Sequence, residues 1–244
     1  MLTYYQNYDP HQRIATSKQH FFRWTLDYLS SEVQTDKRSL LDVGCGFGYF
    51  LELASRNSWN TYGVEIVDSA VEVARNKLGE KNIYHGSLRN AHYLDEYFDA
   101  ITLWDVLVMV ENPIEELREC YRILKGGGKI GIRVRNVDFQ KIIYHIYLPL
   151  SKVASALQIK RPYVFHPHNF TKTALELILR RGGFSDIQII NSPLTKGDPY
   201  GHSQNRVLTT IIKNTTDILT KILFQLSRGR LIIGPSLLAW AEKT

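Results

Sequence analysis

Only two cysteines, Cys45 and Cys120, occur in 244 residues. That number excludes a disulfide framework and a four-cysteine zinc site, and it fits a reducing, cytoplasmic setting. No uninterrupted apolar run reaches the roughly 20 residues that cross a bilayer as a helix. The stretch Met1-Leu2-Thr3-Tyr4-Tyr5-Gln6 lacks a basic start followed by an apolar core, so no signal peptide is expected. Repeats and low-complexity segments are missing as well. His11, His20, His85, His92, His145 and His202 show no metal-ligand spacing, so no metal site is expected. Arg228-Gly229-Arg230 is too short for a nucleic-acid motif, and no aromatic-basic RNA module accompanies it.

What is present is a soluble globular composition, with 44% hydrophobic and 22% charged residues. The length suits one domain over 1–244 with a large core. The net charge of +6 is unevenly placed: residues 1–132 carry −4 and residues 133–244 carry +10. A basic second half either meets something anionic or is a solvated surface.

Along the chain, strand and helix alternate. An N-terminal helical segment, 1–38, contains apolar positions Ile14, Phe21, Phe22, Leu26 and Leu29 at helical spacing over 11–30. Strands are predicted at 39–43, 60–66, 82–85, 98–104 and 129–134. Helices between them are predicted at 47–56, 68–78 and 113–124. Asp68 is the expected N-cap of the second of these, and Gly126-Gly127-Gly128 the expected stop of the third. This rhythm implies an α/β, doubly wound, mostly parallel, seven-stranded Rossmann-like sheet, with its strand C-termini along one ligand-binding edge. After residue 135 the rhythm breaks, and 136–170 is read as an inserted helical cap. It resumes with a helix at 171–181, a strand at 184–190, a polar loop at 191–204, a long helix at 206–226 and a last strand within 231–240.

The first strand runs into Asp42-Val43-Gly44-Cys45-Gly46-Phe47-Gly48 and then into a helix. Glycines there let the backbone turn tightly and let a ligand lie against it, while the helix offers its N-terminus. The spacing G-x-G-x-G differs from the G-x-G-x-x-G of dinucleotide loops. Glu65, 21 positions after Gly44 at the end of the second strand, can accept hydrogen bonds from ribose hydroxyls. That feature alone also suits NAD, and a NAD-dependent oxidoreductase stays open at this point.

Four stretches resemble class I S-adenosylmethionine-dependent methyltransferases. They are Leu41–Gly48, Tyr62–Ile66, Phe98–Leu107 and Leu117–Gly128, in the family's order. The resemblance implies S-adenosylmethionine as cofactor. It implies Asp42, Gly44, Cys45 and Gly46 along the methionine part, Glu65 on the ribose, and Ile66, Ser87 and Leu88 at the adenine. Trp104 and Asp105 would lie near the sulfonium, and Tyr5 in a segment folded over the cofactor. Where many relatives carry Leu-Glu-His after the fourth strand, this chain has Leu107-Val108-Met109.

Methyl transfer to a hydroxyl needs alignment, exclusion of water and a base. Phe165-His166-Pro167-His168-Asn169-Phe170-Thr171 is the expected source of that base, with His168 preferred to His166 and Asp105 as an orienting group. The stretch resembles a His-x-x-Phe-Thr step of a methyltransferase subfamily with many glycan and secondary-metabolite enzymes. The expected acceptor is a small molecule, a glycan or a lipid-linked compound, methylated on oxygen. A non-catalytic methyltransferase-like scaffold is the other alternative. Segments 139–161 and 206–230 are both apolar and basic. Each reads either as a peripheral membrane contact or as a lid or dimer surface, for a monomer or a homodimer.

Overall fold

The computed structural model describes residues 10–156, 166–193, 195 and 206–244. One seven-stranded sheet organises it, in the order β3-β2-β1-β4-β5-β7-β6. Its strands are β1 (Arg38–Val43), β2 (Trp59–Glu65), β3 (Ile83–His85), β4 (Phe98–Trp104), β5 (Leu124–Arg135), β6 (Ser185–Asn191) and β7 (Ser236–Glu242). The first five are parallel, and β7 runs antiparallel to both β5 and β6. The chain moves outward from β1 to β3, then returns to β4 beside β1. This reversal opens a crevice at the C-terminal ends of β1 and β4, where doubly wound sheets bind ligands.

The helices are α1 (Pro10–Glu32), α2 (Tyr49–Ser55), α3 (Asp68–Leu78), α4 (Pro113–Ile123), α5 (Val137–Tyr147), α6 (Ser151–Ala156), α7 (Lys172–Arg181) and α8 (Arg206–Leu226). Every residue of β4 is buried, as a strand covered on both faces requires. One face packs Ile101, Leu103 and Ile132 against Leu117 and Ile123 of α4 and Leu175 and Leu179 of α7. The other packs Leu40, Ala100 and Trp240 against Phe21, Leu26 and Leu29 of α1 and Phe50 of α2. Each large side chain buried in this way contributes roughly 1.5–3 kcal/mol.

Three expected boundaries shift. Asp68 is the first helical residue of α3, and Val67 caps it without a side-chain bond. The N–H groups of Ile66 and Val67 are instead taken by Glu65. Gly126–Gly128 do not follow the helix as a stop. Leu124 already pairs with Phe98, and the glycines form an irregularity before Lys129 pairs with Ala100. Lys243 closes this turn through its carbonyl and its N–H. The last strand begins at Ser236 rather than in the 231–235 stretch, because Pro235 has no N–H and the carbonyls of Ile232 and Gly234 go to Asn136.

Candidate active site

The glycine loop begins where β1 ends. Gly44 and Cys45 both donate their N–H to the Val64 carbonyl, at 2.7 and 3.1 Å, so the loop is pinned to β2. Gly44 has φ +69, and a Cβ there would collide with a Val106 methyl. Gly46 has φ +53, and a Cβ there would meet nothing within 4 Å. Gly46 therefore faces open space, and the loop leaves backbone bare for a ligand. Glu65 supports it from below. One of its carboxylate oxygens accepts the Gly46 N–H at 2.8 Å, and the other accepts those of Ile66 (2.8 Å) and Val67 (3.0 Å). Ile66 lies at the mouth, 61% exposed.

Cys45 is buried, and burial pushes its thiol up, with Asp42 and Glu65 adding to the effect. It packs on Gly63, where a Cβ would sit 2.7 Å from its Sγ, so it is a space-filler rather than a nucleophile. The two glycines should separate in experiment. Gly44→Ala is expected to lose about 2 kcal/mol or more of stability through strain and collision. Gly46→Ala is expected to lose only about 1 kcal/mol, but at least tenfold in cofactor affinity. Denaturant melts and cofactor titration read the two effects; equal stability losses would refute the assignment.

Parallel register sets Asp42 of β1 opposite Thr102 of β4, and the Thr102 hydroxyl donates to the Asp42 carboxylate at 2.7 Å. Burial dominates this group and pushes its pKa up to about 7, against the Thr102 hydrogen bond and the charge of Lys18. Asp105 follows β4 with φ +65. Its carboxylate accepts from Lys18 of α1 at 2.9 Å and from Arg133 of β5 at 2.6 and 2.8 Å. Burial alone would raise Asp105. The charges of Arg133, Lys18 and Arg135 outweigh it and hold the carboxyl well below the usual range. Arg133 is fully buried, donates through Nε to Ser192 Oγ at 2.9 Å, and lies 5.4 Å from the centre of the Phe21 ring.

The histidine loop spans the ends of β4 and β5. His168 N–H donates to the Val108 carbonyl at 3.2 Å, Val137 N–H donates to Phe170, and Asn136 bridges to Phe170. Thr171 then caps α7, accepting from Ala174 N–H at 3.1 Å. His166 Nδ1 lies 3.2 Å from Met109 Sδ, and its Nε2 is buried with no partner among the described residues. Burial lowers its pKa, Arg135 lowers it further, and Asp105 opposes both. No hydrogen bond reaches the His168 ring among the described residues. Arg135 makes no side-chain hydrogen bond or ion pair there either.

The sequence matches the methyltransferase-domain family over residues 13–189. The chain belongs to that family. A ubiquinone biosynthesis O-methyltransferase of Coxiella burnetii is 26% identical over 125 residues, covering 50% of this chain and 53% of that protein. A demethylmenaquinone methyltransferase of a Geobacillus species is 29% identical over 135 residues, covering 52% and 57%. The chain thus spans about half the length of the curated relatives it matches. Among solved structures, an S-adenosylmethionine-dependent methyltransferase from Archaeoglobus fulgidus shares the fold with TM-score 0.56 and 21% identity, covering 93% of this chain and 97% of that one.

The cofactor of this methyltransferase is S-adenosylmethionine, and the dinucleotide reading of the glycine loop is set aside. The residues present fit it: bare backbone over Gly46, a buried carboxylate at Glu65, a second at Asp42 and an exposed apolar Ile66. Ser87 is exposed, whereas the Leu88 side chain is core, so Leu88 can offer only backbone to a ligand. Trp104 is buried too, edge-on to Phe21 and Phe50, and it supports α1 rather than lining an open surface. Tyr5 lies outside the described residues. One residue separates His168 from Phe170 and three separate His166 from it, so neither histidine has the spacing of His-x-x-Phe-Thr.

Sequence reasoning missed Arg133 and Arg135. An arginine inside an apolar strand, as in Ile130-Gly131-Ile132-Arg133-Val134, was the available signal: a buried cation needs a buried anion. It missed the structural use of Glu65 as well. Among the described residues, no group of three or more His, Cys, Asp or Glu side chains could hold a metal ion. No helix there is long and apolar enough to cross a membrane.

Proposed function

We propose that this methyltransferase acts on an oxygen of a small-molecule, glycan or lipid-linked acceptor, bound between the glycine loop and the 166–170 loop. The observation that carries the reading is the His166 ring, held at the ends of β4 and β5 with Nε2 buried and, among the described residues, unpartnered. The O-methyltransferase of ubiquinone biosynthesis among the relatives supports oxygen as the acceptor atom.

When bound, the cofactor supplies a methyl group already activated on a sulfonium. The chain's task is then to hold, to exclude water and to take a proton. Gly44, Gly46, Asp42 and Glu65 hold the cofactor. A lowered pKa keeps His166 neutral near pH 7, so Nε2 can accept the acceptor's hydroxyl proton. Asp105 is too weak a base for that step. Its ion pairs instead fix Lys18 and Arg133 beneath the site. Residues 136–156 and 166–170 form the acceptor side, with Asn136 rooting both α5 and the histidine loop.

The test measures release of S-adenosylhomocysteine with a panel of phenolic acceptors. His166→Ala is expected to lose roughly 10²–10⁴ in rate with cofactor affinity unchanged, and His168→Ala less than about tenfold. A larger loss for His168→Ala would transfer the role to that histidine. Cofactor binding without turnover of any acceptor would favour the scaffold reading.

A further inference from the structure

Two helical segments leave large apolar side chains in water. Across α5, α6 and the turn between them, Ile142, Ile146, Leu150 and Val153 recur at intervals of three or four, and on α8, Ile211, Ile218, Ile222 and Leu226 recur at helical spacing. All are 45–77% exposed. Such stripes normally face a core, and contiguous exposed apolar surface of this kind marks an interaction site.

The two segments share a root. Asn136, fully buried, accepts the Asp138 N–H that starts α5. Its Nδ2 donates to Ile232 and Gly234, in the strand-entry segment that follows α8. The same residue bridges to Phe170 of the histidine loop. Ser236, the first residue of β7, pairs with Arg135 at the end of β5. Both apolar segments therefore spring from the edge that carries His166.

Charge says what covers them. Residues 137–156 hold two basic and one acidic residue, and residues 206–230 hold five and one, so these segments carry +5. The whole chain carries +6, which leaves only +1 for everything else. Lys141, Lys152, Lys221, Arg228 and Arg230 are exposed. Two copies meeting on these faces would bring like charges together, whereas anionic headgroups match the basic residues while Ile and Leu enter the acyl boundary.

We propose that the apolar faces of α5, α6 and α8 dock on an anionic lipid bilayer and bring the acceptor edge to it. Docking is independent of which acceptor is methylated. The full chain is sedimented with vesicles of phosphatidylcholine and phosphatidylglycerol, and with vesicles of phosphatidylcholine alone. Binding to the anionic vesicles is expected to be at least tenfold tighter, to weaken with salt, and to fall at least tenfold in Ile218→Glu/Ile222→Glu. The double variant should keep the wild-type melting temperature, since both side chains are in water. Should it misfold, Lys221→Glu/Arg228→Glu serves instead, with the same expected loss. Failure to bind anionic vesicles, or equal binding by folded variants, overturns the proposal. So does a wild-type dimer in sedimentation equilibrium that the same substitutions convert to monomer. Cofactor titration runs in parallel, because a variant that loses vesicles and keeps cofactor leaves the enzymatic reading intact.

Discussion

Replacing Arg133 with methionine is expected to cost about 3–5 kcal/mol of folding stability, the usual result of removing one partner of a buried ion pair. Arg133 is fully buried, and its guanidinium meets both oxygens of Asp105 and the Ser192 hydroxyl. Methionine fills much of the volume but leaves the Asp105 charge with Lys18 as its only close ion pair among the described residues. Arg133→Met combined with Asp105→Asn should recover most of the loss, because it removes the stranded charge as well. Urea melts of the two single variants and the double variant read this directly. A double variant as unstable as Arg133→Met would show that packing, not charge, sets the cost. The pH sign is also fixed. Asp105 is depressed in the folded state, so its contribution is fully present above the ordinary carboxylate value and is lost as pH falls below about 4.

Asp42 has the opposite sign. Its pKa is raised from 3.8 to about 7, so the folded state binds a proton that the unfolded state has released between those values. Stability of the cofactor-free protein should therefore fall as pH rises from 4 to 7, by up to about 4 kcal/mol from this group. Asp42→Asn should melt well above wild type at pH 8 and close to it only at about pH 4. Cofactor binding should run the other way. If Asp42 lines the methionine part as proposed, the methionine ammonium would ask for the ionised carboxylate, so affinity should rise about tenfold per pH unit below 7 and level off above it. Asp42→Asn should bind weakly at every pH, with that slope gone. A cofactor affinity flat between pH 5.5 and 8 in wild type would dismiss the raised carboxyl.

Much of this was legible in the sequence, for identifiable reasons. Phe98–Trp104 is a short, mostly apolar run interrupted only by Asp99 and Thr102 and ending before Asp105, and β4 has those bounds. Arg206–Leu226 holds helical period throughout, and α8 has the same limits. Local signals failed where a distant group intervened. Asp68 looks like a cap, but Glu65 had already satisfied the groups before the helix. Gly126–Gly128 look like a stop, but Lys243, 115 positions after Gly128, draws them into the sheet. At the site, loop spacing and Glu65 carried the cofactor reading. Which of His166 and His168 turns its ring toward Met109 is a long-range fact that no spacing encodes. Arg133 and Asp105 lie 28 positions apart and meet only because β4 and β5 are neighbours.

The three backbone N–H groups that converge on the Glu65 carboxylate give the glycine loop its shape before any ligand arrives. The entropy of ordering that loop is thus spent during folding. Association then resembles the docking of a rigid body, and little binding energy is diverted into arranging the receptor. Glu65 in this sense acts as a preorganising clamp. Its loss would show as a slower and more temperature-dependent approach of the cofactor.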